Sequence, residues 1–132
     1  MCVCFALRRA ARSVTRRFDA ALRPSGLKST QFNLLVVLDA TGAITTSELA
    51  RRMAIERTTL TRNLALLTRK GWVRGEPGGD RRSRNVSITA RGRNVARKAL
   101  PAWRRAQGAF LTRLGPHHFA ELTARLAELT RS

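Results

Sequence analysis

Tyrosine is absent from this 132-residue chain, lysine occurs three times, and only 8 residues are acidic against 26 basic ones. No apolar run of about 18 residues occurs, the length a membrane-spanning helix needs. The N-terminus also lacks the apolar core and small-residue cleavage site of a secretory signal, so a cytoplasmic location is expected. Cysteine is confined to Cys2 and Cys4, too close together at one end to staple a fold, and free thiols are expected in a reducing compartment. There is no pair of carboxylates in a cleft-like setting, no Ser/His/Asp or Cys/His constellation and no phosphate-cradling glycine loop, which excludes the common enzyme classes. His117 and His118 are adjacent, and on a helix their side chains diverge by about 100°, so they read as exposed polar residues of a first turn. Neither a metal nor a cofactor is expected.

What the chain has in excess is arginine. The formal charge is +18, with 16 basic against 3 acidic residues between positions 51 and 105, and 3 against 2 from 106 onward. A codon bias explains arginine in place of lysine, but neither the shortage of acids nor their uneven spread. Such a field attracts polyanions without conferring sequence choice. A length of 132 residues with 43% hydrophobic content suits one compact domain, or one protomer whose core a partner completes.

Periodicity divides the chain. From Val3 to about Leu22, Cys4, Leu7, Ala11, Val14, Phe18 and Ala21 alternate at spacings of three and four, which predicts an amphipathic helix with a coiled-coil-like seam, ended by Pro24, Ser25 and Gly26. Ser29 or Thr30 is the expected cap of a second helix using Phe32, Leu35, Val36 and Leu38 and stopping at Thr41-Gly42. Ala43 to Thr45 reads as extended. Thr46 or Ser47 then caps a helix burying Leu49, Ala50 and Met53, and a further helix runs from about Arg57 to Lys70. In that last helix Leu60, Leu64 and Leu67 share one face, while Thr58, Thr61, Arg62, Ala65 and Arg69 lie on roughly the opposite one. A short, polar, cationic face of this kind suits the major groove of duplex DNA.

Gly71 closes this reader helix, and Trp72-Val73 starts a strand whose aromatic is expected to pack beneath it. Gly78-Gly79 marks a hairpin tip, with the chain returning through Val86 and Ile88, and Asp80, Arg81, Arg82 and Arg84 fall between the strands. A long helix from Ala90 to Leu114 is expected to bury Val95, Ala99, Ala106, Phe110 and Leu114 and to kink at Pro101. A last helix after Gly115-Pro116 carries Phe119, Leu122, Leu126 and Leu129 on one stripe. These terminal seams exceed what a small reading domain can cover, which predicts a homodimer built from both chain ends.

S-E-L-A (Ser47 to Ala50), R-T-T-L-T-R (Arg57 to Arg62), L-T-R-K-G-W-V (Leu67 to Val73), D-R-R (Asp80 to Arg82) and V-S-I-T-A-R-G (Val86 to Gly92) occur in this order and spacing. Together they resemble the MarR family of transcriptional regulators over nearly the whole chain. The resemblance implies a mainly α fold with a small β-wing, a winged helix-turn-helix over about 29–92 within a single domain 1–132, and dimerisation helices over about 1–23 and 90–131. It implies a sequence-specific regulator, a repressor released from a pseudo-palindromic double-stranded DNA operator by an effector. Thr58, Thr61 and Arg62 are then expected to contact bases and phosphates, Arg62 by a bidentate guanine contact, and Ala65 a thymine methyl. An Asp80–Arg82 ion pair would orient the wing, with Arg82 or Arg84 entering the minor groove. The sequence departs from the family at Glu56, where Ser or Asp usually caps the reader.

Cys4-Phe5-Ala6-Leu7 resembles the sensing segment of the organic-hydroperoxide regulators of that family, the OhrR group, which marks Cys4 as a possible redox residue with Arg8 at i+4 to favour its thiolate. That group holds its thiolate with tyrosines, one of them at the place of Arg8, and this chain has none. The alternative is a cysteine that fills the apolar seam. A small organic effector in a crevice lined by Trp103, Phe32 or Phe110 is a further expectation, against ordinary core packing. A non-specific architectural nucleic-acid binder is the competing class, and it predicts equal affinity for any duplex.

Overall fold

A computed structural model describes residues 1–76 and 84–131. Among the described residues ten elements follow in order, six of them α-helices: α1 (Val3–Leu22), a 3-10 turn (Arg23–Ser25), α2 (Ser29–Thr41), β1 (Ile44–Thr45), α3 (Thr46–Met53), α4 (Arg57–Arg69), β2 (Val73–Glu76), β3 (Asn85–Ile88), α5 (Ala90–Leu114) and α6 (Pro116–Leu129). The fold is mainly helical with one antiparallel sheet in the order β1-β3-β2. In it Ile44 pairs with Val86, and β2 pairs with β3 from Val73↔Ile88 to Glu76↔Asn85. Alternation along β3 turns Val86 and Ile88 into the core. The hairpin tip at Gly78-Gly79 lies outside the described residues.

The core is leucine-rich and lies between α2, α3, α4 and the sheet. Leu35, Leu38, Leu49, Leu60 and Leu67 are fully buried, and Ala99 of α5 closes the cluster from the other side. Trp72 is half-buried at the turn before β2, packs on this core, and carries the Lys70 ammonium 4.8 Å above its ring. Val36 is exposed at 44%, against the expectation of burial, while Leu34 is buried. Val36 stands about 100° round the helix from Leu35, beyond the arc that α1, α5 and β3 cover. Leu114 is likewise at the surface and Phe110 only half-buried. Helix α5 runs on through Pro101 as one element.

Both expected caps fall one residue away from the observed ones, for the same reason. Ser29 is already helical: its N–H donates to Asp19 Oδ1 of α1 at 2.7 Å, and the Lys28 N–H at the cap donates to Gln31 Oε1 at 2.9 Å. At α3 the cap is Thr45, whose Oγ1 accepts from the Glu48 N–H at 3.2 Å. Thr46 is engaged elsewhere, donating from its N–H and its Oγ1 to the Arg84 carbonyl at 3.1 and 3.3 Å. Long-range partners decided positions that local preference left open.

A clasp joins the end of the reader region to the start of α5. Thr89 caps α5 by accepting from the Gly92 N–H, donates its hydroxyl to the Gly71 carbonyl at 2.6 Å, and donates its N–H to the Trp72 carbonyl at 3.0 Å. The backbones come so close that a Cβ on Gly92 would stand 2.1 Å from the Trp72 oxygen. Only glycine fits there.

Candidate nucleic-acid interface

The two short helices α3 and α4 meet at a three-residue turn. Ala54 ends α3 in the left-handed region (φ 53°, ψ 43°), its N–H returning to the α3 carbonyls, and Glu56 opens α4 from an extended backbone. Glu56 makes no side-chain cap bond, so its contribution to α4 is that of a negative charge beside the positive helix end. Leu60, Leu64 and Leu67 anchor α4 on the core and thereby fix which residues face outward.

Thr58, Thr61, Arg62, Ala65 and Arg69 are all exposed. Thr58, Arg62, Ala65 and Arg69 fall within about 60° of one another on the helix surface, forming one outward stripe. Thr61 stands at its edge, its hydroxyl donating to the Arg57 carbonyl at 2.8 Å. Beside the stripe runs an open groove of about 680 Å³ between α4 and the sheet, lined by Thr46, Arg57, Thr61, Leu64, Ala65, Thr68, Gly75, Arg84 and Val86. Arg84 is exposed at its rim, with its backbone held by Thr46. Asp80, Arg81 and Arg82, and with them the expected Asp80–Arg82 pair, lie outside the described residues.

Sequence reasoning missed Arg57, Thr46 and Thr68 as groove-lining residues. For Arg57 and Thr68 the signal was available, since they stand at i−4 and i+7 from Thr61 on the same side of α4. For Thr46 it was not, because its place depends on β1 pairing with β3.

Charge is arranged unequally. On α3, Glu48 hydrogen-bonds Arg51 and pairs with both Arg51 and Arg52; the Arg51 guanidinium chiefly holds its carboxyl down to about 2 from an ordinary 4.5. The Arg51 side chain is raised in turn by the same bond. Among the described residues no carboxylate pairs with Arg57, Arg62, Arg69 or Arg84. The outward face of α4 and its groove therefore present unneutralised guanidinium groups, matched to an anionic partner.

Two further features lie on the terminal helices. Phe18 of α1 stacks on Phe110 at 5.7 Å between ring centres and tilts against Trp103 at 6.5 Å, while Phe32 stacks on Trp103 at 6.0 Å. A cavity of about 290 Å³ opens beside them, lined by Phe18 and Trp103 together with Val14, Thr15, Ser29, Asn33 and Gln107. Of the expected effector residues, Trp103 lines it, while Phe32 and Phe110 back the lining rings. Cys4 is exposed on the first turn of α1, and Cys2 is exposed at the cap of that helix on extended backbone. Among the described residues no group of three metal-ligating side chains occurs, and no helix is long and apolar enough to cross a membrane.

The MarR family pattern matches residues 25–83. The chain is 31% identical over 83 residues to the HTH-type transcriptional regulator YwoH of Bacillus subtilis, covering 63% of this chain and 61% of that protein. It is 33% identical over 96 residues to the HTH-type transcriptional regulator PecS of Dickeya dadantii, covering 70% and 58%. Its matches thus span less than two thirds of the length of these curated relatives. Among solved structures, the M. tuberculosis transcriptional regulator MosR in complex with DNA superposes with a TM-score of 0.90 at 42% identity, over 98% of this chain and 94% of that one.

Proposed function

The chain belongs to the MarR family, and on that premise we propose that it is a homodimeric, sequence-specific DNA-binding transcriptional regulator, a repressor released from a pseudo-palindromic operator by an effector. Residues about 29–92 act as the reading unit and the segments about 1–23 and 90–131 as the dimer. The observation that carries this is the outward stripe of Thr58, Arg62, Ala65 and Arg69, beside a groove edged by unpaired Arg57 and Arg84. The stripe supplies base contacts and the groove supplies phosphate contacts, which position the stripe without choosing sequence. The wing residues Arg81, Arg82 and Asp80 complete the proposal on its minor-groove side.

The test is selection of bound fragments from a genomic DNA pool, followed by titration of the selected duplex against a scrambled one. A preference of about 10³-fold or more supports a regulator, and equal affinity supports the architectural class. Arg62→Ala should cost about 1–3 kcal/mol on the selected duplex and relax one base position.

The cavity beside Phe18 and Trp103 supports an effector that is aromatic and carries hydrogen-bonding groups, since two rings meet Thr15, Ser29, Asn33 and Gln107 there. Ligand-induced loss of the selected DNA, abolished in Gln107→Leu, checks this. A peroxide signal through Cys4 is the second reading, favoured by its exposure next to the unpartnered apolar residues of α1. An organic hydroperoxide would convert the Cys4 thiolate to a sulfenic acid and be reduced to the alcohol. Peroxide sensitivity of DNA binding in the wild type and its loss in Cys4→Ser decide it.

A further inference from the structure

No acidic residue occurs between Asp80 and Glu121. Within that interval α5 exposes Arg91, Arg93, Arg97, Lys98, Arg104 and Arg105. At 100° per residue they form the two edges of one solvent face, Arg93, Arg97 and Arg104 on one side and Arg91, Lys98 and Arg105 on the other, with Asn94 and Pro101 between. The strip is about 21 Å long. Among the described residues Asp39, 3.5 Å from Arg93, is the one carboxylate that pairs with any of the six.

We propose that this face of α5 is a second DNA-contacting surface, holding the phosphates of duplex that flanks the operator; it rests on the DNA-binding reading above. Three observations favour that occupant. A symmetric copy of the same face would bring like charges together, and the large exposed apolar residues of α5, Leu111 and Leu114, lie beyond Arg105, so the basic strip and the association seam are separate segments. On α3 and α6 the basic side chains have acidic partners, Arg51 and Arg52 on Glu48 and Arg125 on Glu128, whereas on the α5 strip only Arg93 has one among the described residues. The strip also begins at Arg91, three residues after β3 ends, so positive charge runs from Arg84 at the groove up the helix. Contacts of this kind add affinity and salt dependence without sequence choice.

The experiment compares wild type with the combined Arg97→Gln, Lys98→Gln, Arg104→Gln and Arg105→Gln variant on two duplexes: the selected operator trimmed to about 20 base pairs, enough for two half-sites one turn apart, and the same operator with flanking duplex on both sides. All four positions are exposed, and circular dichroism with a mass measurement checks that the folded assembly persists. The variant should bind the trimmed duplex within about twofold of wild type, yet lose about tenfold or more on the flanked duplex. Its log–log salt slope there should fall by about 0.9 for each phosphate contact removed per dimer. A companion variant carrying Arg97→Lys, Arg104→Lys and Arg105→Lys should bind as wild type. Identical slopes on the flanked duplex, or equal losses on both duplexes, overturn the surface while leaving the regulator intact. Absence of any preference for the selected over a scrambled duplex in the wild type overturns the regulator reading itself. Capture of an acidic peptide by the wild type but not the glutamine variant, with the flanked-duplex slope unchanged, assigns the strip to a protein instead and also overturns the proposal.

Discussion

The reading half and the terminal helices use the same leucines at the same helical spacings and put them to opposite ends. Between Leu27 and Ile88 all but Leu66 are sealed within one chain: Leu49, Leu60 and Leu67 have no exposed surface. In α6 no residue is buried, and Leu122, Leu126 and Leu129 stand at solvent, as do Leu7 and Val14 of α1. Period alone does not distinguish these cases. The difference is where the covering surface comes from, since α4 is closed by α3 and the sheet while α6 packs chiefly on α5 and leaves its outer stripe bare. The reading half is a finished unit, whereas the outer apolar stripes of the ends are left to be buried in the proposed dimer.

That contrast can be broken at its seam. Gly92→Ala puts a methyl 2.1 Å from the Trp72 carbonyl oxygen, a backbone atom that cannot yield cheaply. A loss of about 4 kcal/mol is expected in urea unfolding, and an unchanged midpoint would contradict the clasp. Next in size, Leu67→Ala removes a fully buried side chain from the reading half. It should cost about 3 kcal/mol, with no change in the mass measured by light scattering. Leu122→Ala together with Leu126→Ala sharpens the contrast from the other side, weakening association by about 2 kcal/mol while leaving near-native helix content. Dissociation on dilution reports it. If the Leu67 variant dissociates and the α6 variant does not, the division between the halves is misdrawn.

The smallest effect concerns α3. Because Arg51 and Arg52 depress the Glu48 carboxyl to about 2, the folded state favours its ionised form. The stability it adds is present above the ordinary value of about 4.5 and is lost as pH falls from there toward 2. Glu48→Gln should therefore lie below wild type at neutral pH and converge with it near pH 2. Salt should shrink the gap, as the pair is exposed. A gap independent of pH would assign the loss to packing.

The reader was legible because its two faces differ in chemistry: leucines at 60, 64 and 67 on one side and polar or cationic residues on the other. The class of fold was legible from the order of its motifs. Caps were misplaced by one residue because Asp19, from another helix, holds the Ser29 N–H, and because Arg84 occupies Thr46. Val36 was misassigned for a related reason, since apolarity names a residue that can be buried and three neighbouring elements decide whether it is. The aromatic cavity was half legible, with Trp103 named but Asn33 and Gln107 unreadable without the packing of α1 and α2 on α5.

The clasp of Thr89 on Gly71 and Trp72 makes the reader and the first turn of α5 a single lever arm. In the regulator proposed above, a signal arriving at the terminal helices would meet no loop at this joint that must melt before the reader responds. It would tilt the arm. In the homodimer proposed above, two such arms would sit on a twofold axis, so a rotation at the top would change the separation of both readers at once, and an operator of fixed helical phase would register that change as mismatch. Control of this kind is a matter of spacing: each reader keeps its grip on a half-site, and what is lost is the ability to hold two of them together.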